Sequence, residues 1–488
     1  MNRVHIDLDR SLGTIDRNLF GGFAEHLERC IYGGVYEPDS ALADAEGLRV
    51  DVIEALRQLR MPIIRYPGGN FVSGYRWMDG IGRREERARR LDLAWQVVET
   101  NRFGTNEFVY FCRQINAEPY LVVNCGDGDI REARDWVEYC NGTNDTALTR
   151  LREQHGYRVP HGVRYWGIGN EVDGPWQIGF KTPQEYARVA TEFAKVMKWV
   201  DPTIKLIAHG VSHWTAGDFV ERGQLLLEQA GHLIDYLAVH WYVDNERNDF
   251  ATYMALSELF EARLSAYEGL IRAIKLERGI NRPIYIAVDE WNVWHRAQMD
   301  VGGHNAVIYN LEDALVVAIH LNAFIRHAAS VKMANLAQIV NVIAPIFTKS
   351  DGLFLQTTFY PFALYSNLAG PTALDVFWGG DTFSAGDVGS LPVLDIAATL
   401  DPSNRELALF VINRSESSTA ETAVSLARGR FKGPVFVHTV NGADIKSQNT
   451  FENPYQVRTH SGETEAKGDT VQYEFEPHSV TALVCPLA

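Results

Sequence analysis

The segment Arg164–Glu171, with the sequence RYWGIGNE, contains the unit from which the fold of this chain can be predicted. A short apolar run ends in glycine and polar residues, and a helical stretch follows it. Seven other segments share this form, which makes eight: Phe20–His26, Pro62–Asn70, Tyr120–Cys125, Lys205–His209, Ile234–Tyr242, Ile284–Glu290 and Met333–Gln338. Eight alternations of strand and helix are typical of a (β/α)8 barrel. A doubly wound open sheet is the alternative, and the count of eight favours the barrel.

Helical segments between these runs support the alternation. The pattern predicts helices over Leu48–Leu59, Asn106–Asn116 and Pro183–Val200. The last of them begins with Thr182-Pro183, the usual order of an N-cap residue and a first helical residue.

After about residue 371 the sequence pattern changes from alternating strands and helices to successive strands. Leu394–Leu400 and Glu406–Ile412 alternate around Asp-Pro-Ser-Asn-Arg and predict a hairpin. Val435–Val440 and Val471–Phe475 continue the strand pattern, so we expect an all-β, jelly-roll-like sandwich.

The N-terminal segment has a strand pattern but no barrel position to fill. Val4, Ile6 and Leu8 alternate with polar residues, and the first barrel run comes later. We therefore expect residues 1–15 to join the sandwich of residues 371–488, with the barrel over 16–370.

Composition limits the classes of function. The chain has 488 residues, of which 46% are hydrophobic and 22% charged, which excludes a disordered chain. Its formal net charge of -16 argues against nucleic acid and anionic membranes as partners. A neutral ligand such as a sugar is compatible with this surface.

Several features predict a cytoplasmic protein. The N-terminus lacks the apolar core of ~7 to 15 residues that a signal peptide needs, and no apolar run approaches the ~18 residues of a membrane span. The five cysteines include no CxxC pair and cannot all be bridged, which favours a reducing compartment.

Two acidic strand ends suggest the chemistry. Reactive residues of a barrel lie at the C-terminal ends of its strands, where this chain has Glu171 and Glu290. Glycosidic cleavage needs one carboxyl group to protonate the leaving oxygen and another to attack the anomeric carbon or activate water. Either carboxylate alone could simply cap a helix or pair with arginine, but two together favour catalysis. Other polar residues at strand ends are Glu25, His26, Arg65, Asn70, Asn124, Asn170, His209, His240, Tyr242, Asp289 and Gln338.

A metal centre is the competing interpretation. His209, His213, His240 and Asp289 lie near strand ends, and the first two have an i, i+4 spacing. The first strand lacks the His-x-His pair that a barrel metallohydrolase would need, so we expect no metal and no cofactor. The more economical role for His240 is to orient a neighbouring carboxylate.

Tryptophan is concentrated in the predicted barrel, where it could stack on sugar faces. Ten of the 11 Trp residues fall between Trp77 and Trp294. About half of any such set belongs to the core. Those in or near loops around the expected pocket are Trp95, Trp176, Trp214, Trp241, Trp291 and Trp294.

At these residues the sequence resembles the α-L-arabinofuranosidases of glycoside hydrolase family 51. The matching segments are Gly22–Leu27 (GFAEHL), Tyr32–Pro38, Ile64–Gly74 (IRYPGGNFVSG), Arg90–Trp95, Gly169–Trp176 (GNEVDGPW), Asp289–Trp294 (DEWNVW) and Leu336–Pro345. The resemblance implies a retaining, exo-acting hydrolase with Glu171 as acid/base and Glu290 as nucleophile. It also implies an arabinofuranose pocket built by Glu25, Arg65, Asn70, Asn170, Tyr242 and Gln338, to which we add Trp95, Trp294 and His240.

The resemblance leaves other activities open. The same family contains endoglucanases and β-xylosidases, and a non-catalytic sugar-binding protein is a third alternative. Substrates would be arabinan, arabinoxylan and arabino-oligosaccharides, and the protein would be a homo-oligomer, often a hexamer. A retaining mechanism requires a carboxyl separation of about 5 to 5.5 Å. It also requires a protonated Glu171, whose pKa we expect burial and Glu290 to raise.

Two departures from the family pattern concern the pocket rim. Trp241 stands where many relatives would have a polar residue, and the segment from His295 to Asn310 is short. We expect them to affect aglycone preference and to leave the two carboxylates unchanged.

Overall fold

A computed structural model describes residues 2–213, 216–295 and 306–488, and it contains the expected barrel. Eight parallel strands form a closed ring, in which the eighth strand pairs with both the seventh and the first. Closure excludes the open-sheet alternative and confirms all eight segments. In chain order the barrel strands are Gly21–Phe23, Ile63–Tyr66, Glu118–Val123, Tyr165–Ile168, Lys205–Val211, Tyr236–Val243, Tyr285–Val293 and Val331–Ala337.

Helices surround this ring, and the three predicted ones are present with small shifts at their ends. Pro183–Val200 has the predicted bounds, because Thr182 and Glu185 form a reciprocal capping box around Pro183. The α-helices of the described residues are Val50–Leu59, Thr105–Gln114, Ile130–Asn141, Ala147–Gln154, Pro183–Val200, Phe219–Ala230, Phe250–Met254, Leu256–Arg278, Leu311–Arg326 and Phe359–Leu368.

The all-β part is a second closed sheet of nine strands. Asn2–Thr14 pairs antiparallel with Thr372–Gly379 and parallel with Ala420–Leu426. The predicted hairpin is present, since Leu394–Asp401 pairs with Glu406–Asn413. The remaining strands of this sheet are Pro434–Asn441, Arg458–Lys467, Thr470–Phe475 and Ser479–Pro486. Three two-stranded hairpins complete the strands: Arg90–Leu91 with Val98–Glu99, Ile346–Lys349 with Gly352–Leu355, and Thr382–Ala385 with Gly389–Pro392.

Apolar side chains fill both closed sheets. The barrel interior holds a cluster that includes Ile63, Val122, Ile207 and Met333, so the barrel is a packed core and positions its strand ends rigidly. Each of the five cysteines is buried and free, in agreement with the expectation that they are not all bridged. Among the described residues, no helix is both long and apolar enough to cross a membrane.

Candidate active site

The strand ends bring Glu171 and Glu290 together. Glu290 lies within the seventh barrel strand, and Glu171 follows the fourth. One carboxylate oxygen of each lies within 4.8 Å of the other, with His240 in the same cluster. Glu171 has a backbone φ of 40°, a left-handed conformation that costs a non-glycine residue about 1 kcal/mol and is often found at functional sites.

Arg65 connects three residues of the site from the end of the second strand. Its guanidinium nitrogens lie 2.5 Å from Oε1 of Glu290 and 2.6 Å from Oδ1 of Asn170. Its Nε atom lies 3.4 Å from Oδ2 of Asp289. Burial opposes the charge of Arg65, but Asp289 and Glu290 raise its pKa above the usual value. The three side chains therefore converge on a cation buried at the strand ends.

His240 lies between the carboxylates. Its Nδ1 atom is 3.0 Å from Oε1 of Glu171 and 3.4 Å from Oε2 of Glu290, and its Nε2 atom is 3.3 Å from Oδ1 of Asp289. Burial alone would lower the pKa of His240, but Glu290, Asp289 and Glu171 raise it to about 10. The raised pKa favours the imidazolium at neutral pH, so the ring adds a second positive charge beside the three carboxylates.

The expected pKa of Glu171 is wrong for this structure. Burial does favour its protonated form, but the contact with His240 and the hydrogen bond from Trp176 outweigh burial and lower its pKa. The indole nitrogen of Trp176 donates to Oε2 at 2.8 Å. The prediction treated Glu290 as the charge nearest to Glu171, whereas in the structure the imidazolium of His240 lies nearest.

A third carboxyl group, that of Glu25, lies beside the pair. Nε2 of Gln338 donates to Oε2 of Glu25 at 2.9 Å, and the indole nitrogen of Trp95 donates to Oε1 at 3.3 Å. Burial and the charge of Glu290 raise the pKa of Glu25 to about 8. Glu25, Trp95 and Gln338, which the sequence predicted to be pocket residues, thus lie in one cluster.

Tyr242 and Trp294 lie on the other side of Glu290. The hydroxyl of Tyr242 donates to Oε2 of Glu290 at 2.9 Å, and the ring of Trp294 lies 5.2 Å from that of Tyr242. Asn70 follows Gly69, where a Cβ atom would lie 3.3 Å from oxygens of both Glu25 and Glu290. The backbone before Asn70 therefore passes directly beside the two carboxylates, and a side chain at residue 69 would make close contact with both.

The six tryptophans singled out in the sequence have different positions. Trp241 and Trp291 are buried and pack around His320, so they belong to the core. The expectation that Trp241 lies at the pocket rim is therefore wrong. Trp176 is 54% exposed beside Glu171. Trp214 lies outside the described residues, as does most of the short segment after His295.

The histidines proposed as metal ligands do not converge on one point. Nε2 of His209 lies 2.8 Å from Oδ1 of Asp173, and His213 is exposed. Within the described ranges, the one group of three side chains with ligand atoms close enough for a metal is that of Glu171, His240 and Glu290. These atoms are already held by Arg65, Tyr242 and Trp176 or by one another, so a metal ion would have to displace those hydrogen bonds.

Sequence reasoning missed two side chains that support the site. The hydroxyl of Tyr120 donates to Oδ2 of Asp289 at 2.9 Å from inside the barrel. Asp173 binds His209 and accepts from the backbone nitrogen of Ser212 at 2.9 Å. Asp173 lies two residues after Glu171, which was a usable signal, whereas Tyr120 resembles any apolar residue of a barrel strand.

Comparison with known proteins decides the family. The chain is 38% identical over 488 residues to the intracellular exo-α-(1→5)-L-arabinofuranosidase 1 of Bacillus subtilis, and the match covers 98% of this chain and 97% of that protein. The chain belongs to the α-L-arabinofuranosidases. It is also 39% identical to α-L-arabinofuranosidase C of Emericella nidulans, over 98% of this chain and 96% of the relative.

Family models and solved structures place this arabinofuranosidase in glycoside hydrolase family 51. Residues 55–266 match the α-L-arabinofuranosidase 1 domain, and residues 289–479 match the α-L-arabinofuranosidase C-terminal domain. The family 51 α-L-arabinofuranosidase of Thermotoga petrophila superposes with a TM-score of 0.90 at 36% identity, covering 99% of this chain and 100% of that one. The family 51 enzyme of Bifidobacterium longum gives 0.94 at 30% identity, with 99% of each chain covered. The resemblance seen in the sequence is thereby confirmed, and the chain is a glycoside hydrolase.

Proposed function

We propose that this family 51 chain is a retaining, exo-acting α-L-arabinofuranosidase that hydrolyses terminal non-reducing arabinofuranosyl residues of arabinan, arabinoxylan and arabino-oligosaccharides. One observation carries the retaining mechanism, namely the approach of carboxylate oxygens of Glu171 and Glu290 to within 4.8 Å. Inverting enzymes need a wider gap of about 6.5 to 9.5 Å to admit a water molecule. The gap in this site supports direct attack by a carboxylate.

The proposed reaction has two steps. Glu290 attacks the anomeric carbon, the bond to the leaving oxygen breaks, and Glu171 delivers a proton to that oxygen. Glu171 then removes a proton from water, the water oxygen attacks the same carbon, and Glu290 departs as a carboxylate. Arg65 and Tyr242, which donate to different oxygens of Glu290, support the ionised nucleophile and orient it.

The proposed arabinofuranose pocket is formed around Glu290. Polar side chains at the strand ends would read the sugar hydroxyls, and the two partly buried indoles would contact the ring. The amide nitrogen of Asn170 supports this assignment, because it is buried and has no hydrogen-bond partner among the described residues. The pocket residues we assign are Glu25, Arg65, Asn70, Trp95, Asn170, His240, Tyr242, Trp294 and Gln338.

The proposed cellular location and substrates are based on the names of two relatives. Proteins from Bacillus subtilis and Streptomyces lividans are named intracellular exo-α-(1→5)-L-arabinofuranosidases. We extend the cytoplasmic location, and arabinose-containing oligosaccharides as substrates, to this chain. We also retain the homo-oligomer, with a hexamer as the specific expectation, which size-exclusion chromatography with light scattering would test.

A panel of nitrophenyl glycosides tests the activity. We expect release from the α-L-arabinofuranoside at a kcat/KM at least about 100-fold above that for the β-xyloside or β-glucoside, since each misplaced hydroxyl leaves buried polar groups unpaired. Preferential release from a xyloside or glucoside would favour the β-xylosidase or endoglucanase alternative. Binding of arabinose without turnover of any substrate would favour the sugar-binding protein.

The variant Glu290→Ala tests the assigned nucleophile. We expect turnover to fall by at least about 10⁴-fold, because the covalent step is lost. Azide should restore release of an activated substrate and give the β-configured glycosyl azide, since it enters from the face vacated by the carboxylate. Glu268→Ala is the matched control, because this half-buried carboxylate binds His327 away from the site. Near-full activity of Glu290→Ala would contradict the assignment.

A further inference from the structure

The contacts of His240 place a proton store next to the acid/base residue. Both ring nitrogens face carboxylate oxygens, Nδ1 towards Glu171 at 3.0 Å and Nε2 towards Asp289 at 3.3 Å. A neutral imidazole has one N–H group and one lone pair, so one of these contacts would set a lone pair against an oxygen. An imidazolium is attractive at both nitrogens, as a hydrogen-bond donor from Nδ1 to Glu171 and as a positive charge beside Asp289. The side chain is fully buried, so solvent does not compete for either contact.

We infer that the proton delivered to the leaving group resides on Nδ1 of His240 in the free protein and reaches the leaving oxygen through Glu171. This inference rests on the proposed function, because it assigns the source of the proton in that reaction. His240 acts through Glu171 and is in this sense a positioning residue. The 3.0 Å contact is short enough for direct transfer from nitrogen to oxygen.

The charge of Glu290 couples proton release to the reaction. Among the interactions that favour the protonated ring of His240, the charge of Glu290 is the largest. When Glu290 forms its ester with the sugar, that charge disappears and the affinity of His240 for its proton falls. The proton is thus released at the step in which the leaving oxygen requires it.

Protons and charges balance over the cycle. In the first step the Nδ1–H bond of His240 breaks, Glu171 passes a proton to the leaving oxygen, and the ring becomes neutral while the aglycone leaves as an alcohol. In the second step Glu171 takes a proton from the attacking water and returns it to Nδ1 of His240, while Glu290 regains its charge. No co-reactant other than water is needed.

The groups that face His240 come from every element packed against it. On its own strand Tyr242 contacts Glu290, and the adjacent fifth strand contributes a ring 4.9 Å from the imidazole. The net charge around the imidazole depends on the neighbouring carboxylates and on Arg65, which contacts Asp289 and Glu290. The complete set is Glu171 after the fourth strand, His209 from the fifth, Tyr242 from the sixth, Asp289 and Glu290 from the seventh, and Arg65 from the second.

The variant His240→Gln tests the inference with two aryl α-L-arabinofuranosides. With a poor leaving group such as 4-methoxyphenol, which needs an acid, we expect kcat/KM to fall about 100-fold or more. With 2,4-dinitrophenol, which leaves without a proton, we expect a change of less than about 5-fold. The basic limb of the pH profile for the poor leaving group should move down by about 2 units or more, because Glu171 alone must then hold the proton.

His320→Gln is the matched control. His320 is also buried in the barrel, accepts from the indole of Trp241 at 2.8 Å and has its pKa lowered by burial to about 4. Its replacement should leave the ratio between the two substrates and the basic limb unchanged. Equal losses of His240→Gln on both substrates, or an unmoved basic limb, would show a structural role and overturn the inference.

A measurement on the wild-type protein removes the dependence on folding of the variant. In protein labelled with ¹⁵N-histidine at pH 8, we expect the His240 ring to give an imidazolium signal in the free state. Trapping Glu290 with a 2-fluoro arabinofuranosyl donor should convert it to the neutral form at the same pH. A neutral His240 in a wild-type protein that hydrolyses arabinofuranosides would overturn this inference alone, whereas a wild-type protein without that activity would overturn the proposed function.

Discussion

At the scale of single residues, the two polar atoms of the Asn170 side-chain amide differ in their hydrogen bonding. Its oxygen accepts from Arg65 at 2.6 Å, while its nitrogen is buried and lacks a hydrogen-bond partner among the described residues. A buried donor without an acceptor costs about 1 to 3 kcal/mol. A sugar hydroxyl would relieve this cost on binding, and such contacts strengthen in the transition state of glycosidases.

We therefore expect Asn170→Asp to lower kcat/KM for an aryl α-L-arabinofuranoside by about 100-fold. The substitution keeps an acceptor for Arg65 and replaces the amide donor by a carboxylate oxygen, and because Arg65 can pair with that charge we expect the midpoint of thermal unfolding to stay close to that of the wild type. Steady-state kinetics with calorimetry on the same preparations provide the measurement. Activity within about 3-fold of wild type would contradict a role for this donor.

The residue scale also marks where sequence reasoning ends. The sequence singled out Glu171 and Glu290 as candidates because each lies near the carboxyl end of a recognisable barrel strand, beside an amide or an aromatic residue. The ionisation of Glu171 could not be predicted, since it depends on His240, which is 69 positions away in the chain and 3.0 Å away in space. Electrostatic effects fall with distance through space, and sequence spacing does not report that distance.

At the scale of elements, a hydrogen bond between buried side chains joins the turn after the fourth barrel strand to the fifth strand. Oδ1 of Asp173 lies 2.8 Å from Nε2 of His209, and both side chains are buried. His209 and Ser212 outweigh the burial of Asp173 and lower its pKa below the usual range. Because the same turn carries Glu171, this pair helps to determine where Glu171 lies.

We expect Asp173→Asn to reduce the free energy of unfolding at pH 7 by about 2 kcal/mol, because its carboxylate accepts hydrogen bonds from His209 and Ser212. Folding lowers the pKa of Asp173, so its contribution is complete above the ordinary value near ~4 and is lost as the pH falls through the folded value. In denaturant titrations, the difference in the free energy of unfolding between variant and wild type should therefore become smaller below about pH 4. Asp39→Asn, at an exposed position, is the control. A difference that persists or widens in acid would contradict this account.

Elements were also the most predictable level of the fold. The eight apolar runs, the helix beginning at Pro183 and the hairpin around residue 403 are all present, because periodicity and capping are local properties of the chain. The sequence did not predict the position of Trp241, because the side of the barrel wall that a strand residue faces is not a local property of the chain. Within Tyr236–Val243, alternate side chains face opposite sides of the barrel wall, and periodicity alone does not say which side contacts a helix.

At the scale of the whole molecule, the two closed sheets are joined by buried polar contacts. Asp395, in a strand of the all-β sheet, accepts from Asn322 at 2.7 Å and binds Arg326 at 3.1 Å. Both partners belong to the helix Leu311–Arg326 of the barrel. We propose a division of the chain at residues 15 and 370, supported by the pairing of Asn2–Thr14 with strands from the C-terminal part.

We expect Asp395→Ala to lower the free energy of unfolding by about 3 kcal/mol, since it removes a buried carboxylate that both Asn322 and Arg326 bind. Asp395 lies outside the active site, so kcat at 25 °C should remain within about 2-fold of wild type, far from the loss expected for Asn170→Asp. Asp387→Ala, in an exposed position of the same region, should change neither quantity. A stable variant with impaired turnover would contradict a purely structural role for this contact.

The sequence by itself determined the alternation of strands and helices and the all-β character of the C-terminal part, and it singled out Glu171 and Glu290 as the candidate carboxylates. These depend on local periodicity and on short motifs that a chain displays without folding. The tertiary structure decided that the barrel closes, that Arg65 and His240 lie among the carboxylates of the site, and that the pKa of Glu171 is lowered. Burial and charge act through space, and only the folded chain brings residues 65, 171, 240 and 290 within reach of one another.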